Sequence, residues 1–264
     1  MGAAGDGADA AVRTWLLAGD PAIRWQVLRD LDGAGAEVVE RERAKVAREG
    51  WGRRLLARQD REGTWAKGLY TPKWKSTTYT LLLLRDLGLA AGDPQARRGC
   101  TLLLDEGLQR DGGINYDWGG RGETCITGMV LSILCHFAHD DDRLDTLAAH
   151  LLARQMPDGG WNCQRPYGAT HSSVHTTISV LEGLRLYELH RRRKVRAVRA
   201  AQRRGREFLL AHRLFRSHRT GEVIKPVFLR FAFPPRWHYD VLRGLDHFQA
   251  VGAARDERLA DGIA

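Results

Sequence analysis

Four copies of one short pattern govern what this chain can fold into. The strings LLLLRDL (81–87), VLSIL (130–134), VLEGL (180–184) and VLRGL (241–245) align so that L-x-x-L recurs as Leu84/Leu87, Leu131/Leu134, Leu181/Leu184 and Leu242/Leu245, in steps of 47, 50 and 61 residues. Upstream of each stands a turn: RQDREGTW (58–65), LQRDGGIN (108–115), RQMPDGGW (154–161) and the degraded HRLFRSHRTGE (212–222). Self-similarity at this spacing marks a repeat architecture, in which no unit buries its apolar face alone. Each unit reads as an apolar-periodic helix ending at the Gln, a Gly-containing turn, a loop of variable length, and a second, more apolar helix that carries L-x-x-L.

The first helices (38–57, 93–107, 141–154 and 191–211) are rich in Arg, Asp and Glu and are expected to face outward. The second helices (75–88, 123–137, 173–188 and 236–250) are apolar over more of their circumference and are expected inside. DPAIRWQVLRDL (20–31) reads as an earlier inner helix with Asp20 as N-cap and Pro21 at its first position. Residues 1–13 read as a loose N-terminal tail. With no Pro- or Ser-rich linker between the units, residues 14–264 are expected to form one all-α domain of four to five helix pairs.

Composition narrows the function classes. No apolar run approaches the ~18 residues of a membrane-spanning helix, and the N-terminus lacks the pattern of a secretory signal. Four cysteines (Cys100, Cys125, Cys135, Cys163) without C-x-x-C spacing make no disulfide framework, which fits a cytoplasmic protein. The net charge of +9 is concentrated: nine Lys/Arg lie between Arg191 and Arg206, and the remaining 32 basic residues balance 32 acidic ones. That run reads as a helix with one buried stripe, its basic face either solvated or set against an anionic partner such as a membrane surface. Charge so localised argues against a nucleic-acid-binding protein.

RQDREGTW and RQMPDGGW resemble the Q-x-x-x-G-x-W turn of the squalene/hopene cyclases, and LQRDGGIN is the same turn without its Trp. The likeness, to the superfamily that also holds the protein prenyltransferase β-subunits, covers roughly residues 20–264. It implies an α/α toroid whose inner helices surround a central cavity. DERLADGIA (256–264) reads as the start of a further outer helix, so closure of the ring within one chain and the oligomeric state stay open. In the motif, Gln can satisfy orphan backbone groups at the end of an outer helix, Gly supplies the turn and Trp packs on the neighbouring unit. Gln59, Trp65, Gln155 and Trp161 are therefore expected to be structural.

The cyclases start their chemistry with D-x-D-D. The nearest string, HDDDRLD (139–145), has His139 in the first Asp position, and Asp140 to Asp142 read as acids at a helix start. The prenyltransferase β-subunits hold zinc with D-x-C at the start of one inner helix and a His at the start of the next. Here Cys125, preceded by Glu123, lies nine residues before Leu134, and His175 lies nine before Leu184. The resemblance thus implies a zinc set of Glu123, Cys125 and His175, with a fourth position open. The alternative is a small buried Cys125, a helix-start Glu123 and a hydrogen-bonded His175.

Other inner-helix entrances are rich in aromatic and polar side chains: Trp74 and Tyr79; Tyr116, Asp117 and Trp118; His171; Trp237 and His238. We expect a pocket for a small apolar ligand, walled by Trp74, Tyr116, Asp117, Trp118, His171 and Trp237, with His175, Tyr79 and His238 as catalytic candidates. The family likeness implies a prenyltransferase- or cyclase-like enzyme acting on an isoprenoid-type substrate without the D-x-D-D acid. The competing expectation is a non-catalytic toroid that binds an apolar ligand or a protein partner.

Overall fold

The computed structural model describes residues 3–117, 120–192 and 195–264. The chain is all-helical, without a β-strand among those residues. It divides into two compact units, 1–99 and 100–264, where the unbroken repeat predicts one domain.

The first unit begins with α1 (Ala3–Leu17), which replaces the expected loose tail. Five alanines between residues 3 and 11 give that segment a helix propensity that outweighs its two glycines. α2 (Pro21–Asp30) starts as its sequence predicts: Asp20 accepts the Ala22 N–H at 3.0 Å and Pro21 opens the first turn. α3 (Ala36–Arg43), a short 3₁₀ turn and α4 (Gly50–Leu56) follow. α5 (Thr77–Leu87) is buried without a break from Thr77 to Leu82 and ends at Gly88, whose φ of 94° suits a residue without a Cβ. Trp25 of α2 covers that end and donates from Nε1 to the Leu87 carbonyl at 2.9 Å. The division between the units falls within α6 (Pro94–Gly107).

The second unit continues with α7 (Thr124–His136), α8 (Arg143–Ala153), α9 (Val174–Arg191), α10 (Arg196–Ala211), α11 (Val241–Ala250) and the short α12 (Ala260–Ile263). α7 is buried continuously from Ile126 to Cys135, and α9 from Thr176 to Leu181. These two helices pack backbone to backbone. A Cβ on Gly128 would lie 2.7 Å from the Ser179 carbonyl, and one on Gly183 would lie 2.4 Å from the Gly128 carbonyl. α10, by contrast, buries only a stripe that includes Val198, Ala201, Gly205 and Phe208.

The turns carry the structural duties assigned to them. Gln59 donates from Nε2 to the Gly63 and Gln95 carbonyls, each at 2.9 Å, so one amide closes its own turn and holds the next helix. Gln155 repeats this with Gly159 at 2.7 Å and Ala201 at 2.8 Å. Trp65 and Trp161 are 2% and 0% exposed, and each donates from its indole N–H to the carbonyl ten residues earlier, Leu55 and Leu151. Each also packs on a glycine: Cβ atoms on Gly99 and Gly205 would lie 3.2 and 2.7 Å from the two indole rings.

The structure adds an element to the repeat. Thr77, Thr127 and Thr177 each accept a backbone N–H from the turn with Oγ1, from Trp65 (3.1 Å), Ile114 (2.8 Å) and Trp161 (3.0 Å). Two alignments change as a result. Leu84 is equivalent to Leu134 and Leu184, one helical turn away from the pairing with Leu131 and Leu181. In the second turn Ile114 holds the Trp place and Leu108 the Gln place; Gln109 instead donates to the Gly107 and Asn115 carbonyls.

Trp161→Ala removes a filled, hydrogen-bonded position and is expected to cost about 3–5 kcal/mol. That is a large part of a domain's usual ~5–15 kcal/mol, and denaturant unfolding will measure it; a variant as stable as the parent would contradict the assignment. A second expectation concerns acid. His247 is 3% exposed, faces Glu182 and Arg185 of α9, Arg206 of α10 and Arg243 of α11, and burial pushes its pKa down to about 4. An unfolded histidine titrates near about 6.5, so the stability drawn from the neutral ring is complete above that pH and is lost as pH falls towards about 4. The melting temperature should drop between pH 7 and pH 5, and His247→Gln should flatten that drop.

Candidate functional site

The N-termini of α7 and α9 lie side by side and organise the second unit's polar residues. Glu123 precedes α7 with its N–H on the Ile114 carbonyl at 2.9 Å, and its own carbonyl accepts both the N–H and the Oγ1–H of Thr127. This fixes Cys125, the second residue of α7, whose Sγ donates to Glu123 Oε1 at 2.9 Å. Ser173 caps α9, and Cys163, two residues beyond Trp161, is tied to that helix by a 3.3 Å bond from its N–H to Thr176 Oγ1.

One carboxylate oxygen of Glu123 and the sulfurs of Cys125 and Cys163 all lie within 4.8 Å of one another. Two of these residues belong to the expected zinc set; the third is Cys163, not His175. Contact between the thiols separates them chemically. The hydrogen bond from Cys125 lowers the Cys163 thiol to about 6, while that contact, burial and the neighbouring Glu123 raise Cys125.

His175 has another setting. Its Nδ1 accepts the Tyr239 N–H at 2.8 Å, which places the proton of the neutral ring on Nε2. Phe228 and Trp237 pack edge-on with centroids at 5.2 Å, and His238 lies 6.1 Å away. Burial, with Lys225, His238 and Arg243 nearby, pushes the His175 pKa down to about 4, so the ring is uncharged at neutral pH. Arg243 secures this corner. It makes a two-pronged ion pair with Glu182 at 2.7 and 2.8 Å and donates to the His238 carbonyl at 2.7 Å. Trp237 stacks on His238 at 3.9 Å.

A cavity of about 850 Å³ opens here, lined among others by Cys163, His171, His175, Phe208, His212 and Phe228. His212 bonds through Nδ1 to the Phe208 carbonyl and through Nε2 to His218 Nδ1 at 3.0 Å. His171 is exposed on the cavity wall, and its carbonyl accepts from Asn162.

The other expected site residues are placed elsewhere. Tyr79 and Trp74 belong to the first unit, where Tyr79 is buried between Tyr70 and Trp74, with centroids at 5.3 and 4.9 Å. Tyr116 is a packing residue: its hydroxyl donates to the Leu103 carbonyl at 2.9 Å and its ring lies against Gly107. Asp117 is exposed, its N–H bonded to Asn115 Oδ1. Trp118 lies outside the described residues. The acids of HDDDRLD are engaged by arginines; Asp142 stands at the N-cap of α8 but makes no side-chain capping bond, and Asp141 accepts the Arg143 N–H at 2.8 Å. Arg191 pairs with Asp140 at 3.1 Å and Asp145 at 2.9 Å, and Arg143 holds the Asp141 carboxyl down at about 2.

Sequence reasoning missed Cys163, His212, His218 and Phe228. A usable signal existed for the first: two residues beyond the turn's apolar anchor stand Lys67, Tyr116 and Cys163. Comparison with protein-family models, with curated proteins and with solved structures finds no match for the chain.

Cys163 borders the cavity, whereas Cys100 and Cys135 are buried. In the metal-free, reduced protein at pH 7, iodoacetamide should label Cys163 before either of them, as peptide mapping over a time course will show. Equal labelling of all four would contradict the geometry.

Proposed function

We propose that the chain is an enzyme on the α/α-toroid plan of the prenyltransferase and squalene-cyclase superfamily, holding a small, partly apolar substrate of isoprenoid type in the second unit's cavity. The observation that carries this reading is the cavity itself: about 850 Å³, with the Phe208 and Phe228 rings and the neutral imidazole of His175 in one wall. Most of the other lining residues are polar or charged, Asp158, Asn162, His212 and Lys225 among them, so the space offers a partly apolar molecule both ring surface and convergent polar groups. The Gln–Gly–Trp turns support the superfamily assignment, since they make the backbone and packing contacts that the motif requires.

Residues of this chain have defined parts in that reading. Phe208 and Phe228 supply apolar wall. His175, its proton on Nε2 and its orientation fixed by the Tyr239 N–H, offers an N–H hydrogen-bond donor to a ligand in the cavity, and Trp237 and His238 back it. Asp140 to Asp142, engaged by Arg143 and Arg191, take no part, so the reaction does not begin with an Asp acid of the cyclase kind. Among the described residues no helix is long and apolar enough to cross a membrane. Delivery of an apolar substrate from an anionic membrane surface suits the exposed Arg192, Arg196 and Arg203 of the basic run, in which Arg193 and Lys194 lie outside the described residues.

Farnesol, added in competition with an environment-sensitive apolar dye, tests the reading. Ala211→Trp puts an indole into the cavity from an exposed lining position and should weaken dye and farnesol binding at least about tenfold, equivalent to ~1.4 kcal/mol. Wild-type protein that binds neither, or a variant that binds both equally well, removes the cavity as the site. Binding of isoprenoids without any turned-over product in a mass-spectrometric screen would move the assignment to the non-catalytic scaffold.

A further inference from the structure

The convergence of Glu123, Cys125 and Cys163 asks for a cation. All three are anionic when deprotonated, their donor atoms lie within 4.8 Å of one another, and the side chains bonded to the sulfurs from outside the set, Thr176 and Gln164, are uncharged. In a tetrahedral zinc site, bonds of ~2.3 Å to sulfur and ~2.0 Å to oxygen set a sulfur and its neighbouring donors roughly 3.5–3.8 Å apart. The Glu123 oxygen and the Cys125 sulfur stand 2.9 Å apart with the thiol proton between them and move slightly apart when an ion replaces that proton, while Cys163 lies within 4.8 Å of both. Their backbones are held in place already, Glu123 by Ile114 and Thr127, and Cys163 by Thr176.

We propose that this trio is a zinc-class metal site whose third protein ligand is Cys163, delivered by the Gln–Gly–Trp turn, in the place that the family likeness gives to His175. Two features separate the candidates. His175 spends Nδ1 on the Tyr239 N–H, and its ring is packed between Phe228 and Trp237; Cys163 already lies against Cys125 and Glu123. The exchange changes which ion is preferred. Two thiolates and one carboxylate favour thiophilic ions such as Zn²⁺ over Mg²⁺ or Ca²⁺, which want oxygen alone. Three protein ligands leave a fourth position, and Cys163 borders both the cluster and the cavity. When bound, such an ion supplies a Lewis acid at the cavity wall. The inference does not depend on the isoprenoid reading, because metal is measured without any organic ligand; a protein that binds metal but no farnesol would overturn that reading alone.

The test uses the full chain, without a His tag, reduced and stripped with a chelator, then titrated with Co²⁺. Wild type should take up about one equivalent and show tetrahedral visible bands with a near-ultraviolet sulfur-to-cobalt transition. Cys163→Ser should lose about half of that transition per bound ion, since one of two thiolates is gone, and bind more than ~100-fold more weakly, beyond the effect of losing an outer-shell partner. His175→Gln should keep the wild-type spectrum. The proposal is overturned if folded wild type binds no cobalt, if Cys163→Ser binds like wild type, or if His175→Gln abolishes the bands. Should Cys163→Ser fail to fold, alkylation of the wild type decides: bound Zn²⁺ must protect Cys125 and Cys163 together, and a Cys163 that is still labelled overturns the site.

Discussion

Everything in the second unit depends on how closely α7 and α9 approach. Gly128 and Gly183 let the two backbones touch, since a Cβ on either would run into a main-chain carbonyl of the other helix. Such contact is directional as well as tight. It fixes the two helices in rotation and in register, so that Glu123 and Cys125 at the start of one stand beside Ser173 to Thr177 at the start of the other. The latter segment holds the turn that brings Cys163. Separating the helices by a methyl group would pull Cys163, tied to α9, away from Glu123 and Cys125 on α7 without touching any of the three.

Much of this frame was legible in the sequence. The burial of α5, α7 and α9, the capping of α2 and the duties of Gln59, Trp65, Gln155 and Trp161 all follow from periodicity and from local chemistry that one segment contains, whereas the fourth L-x-x-L does not mark the core, since Leu242 of α11 is exposed. What stayed hidden depends on tertiary placement. The set Thr77, Thr127 and Thr177 repeats every 50 residues, yet a threonine at a helix start has many local uses, and only its bond to a remote turn identifies this one. Cys163 is hidden for a related reason: the turn's pattern announces structure alone, while its next residues bend back onto α9. His175 was placed at the right end of the right helix, but its hydrogen bond to Tyr239 comes from a loop 64 residues away, which no spacing rule reveals.

Charge tells a similar story. Of the nine cations between 191 and 206, Arg191 neutralises the acids that open α8, and Arg199 pairs with Glu188 at 2.6 Å. Part of an apparent polybasic signal is thus consumed in holding α9 to its neighbours, and exposed pairs of this kind contribute little stability each. The string HDDDRLD, which superficially suggests an acid catalyst, is the other half of the same arrangement. Net charge per segment misleads wherever the compensating charges lie dozens of residues away.

The threonine bond spans chain separations of 12, 13 and 16 residues in the three turns, always with the same partner geometry. The connecting loop can therefore lengthen without disturbing either of its anchors, and in the third turn it is this loop that carries Cys163 and His171. Mutation has a place to work in which chemistry varies while architecture does not. Insertions of a few residues there would reshape the cavity wall and leave the α7–α9 contact alone, whereas the same insertion between Gln155 and Trp161 would break a joint. A scaffold divided in this way can change the lining of its cavity far faster than its shape.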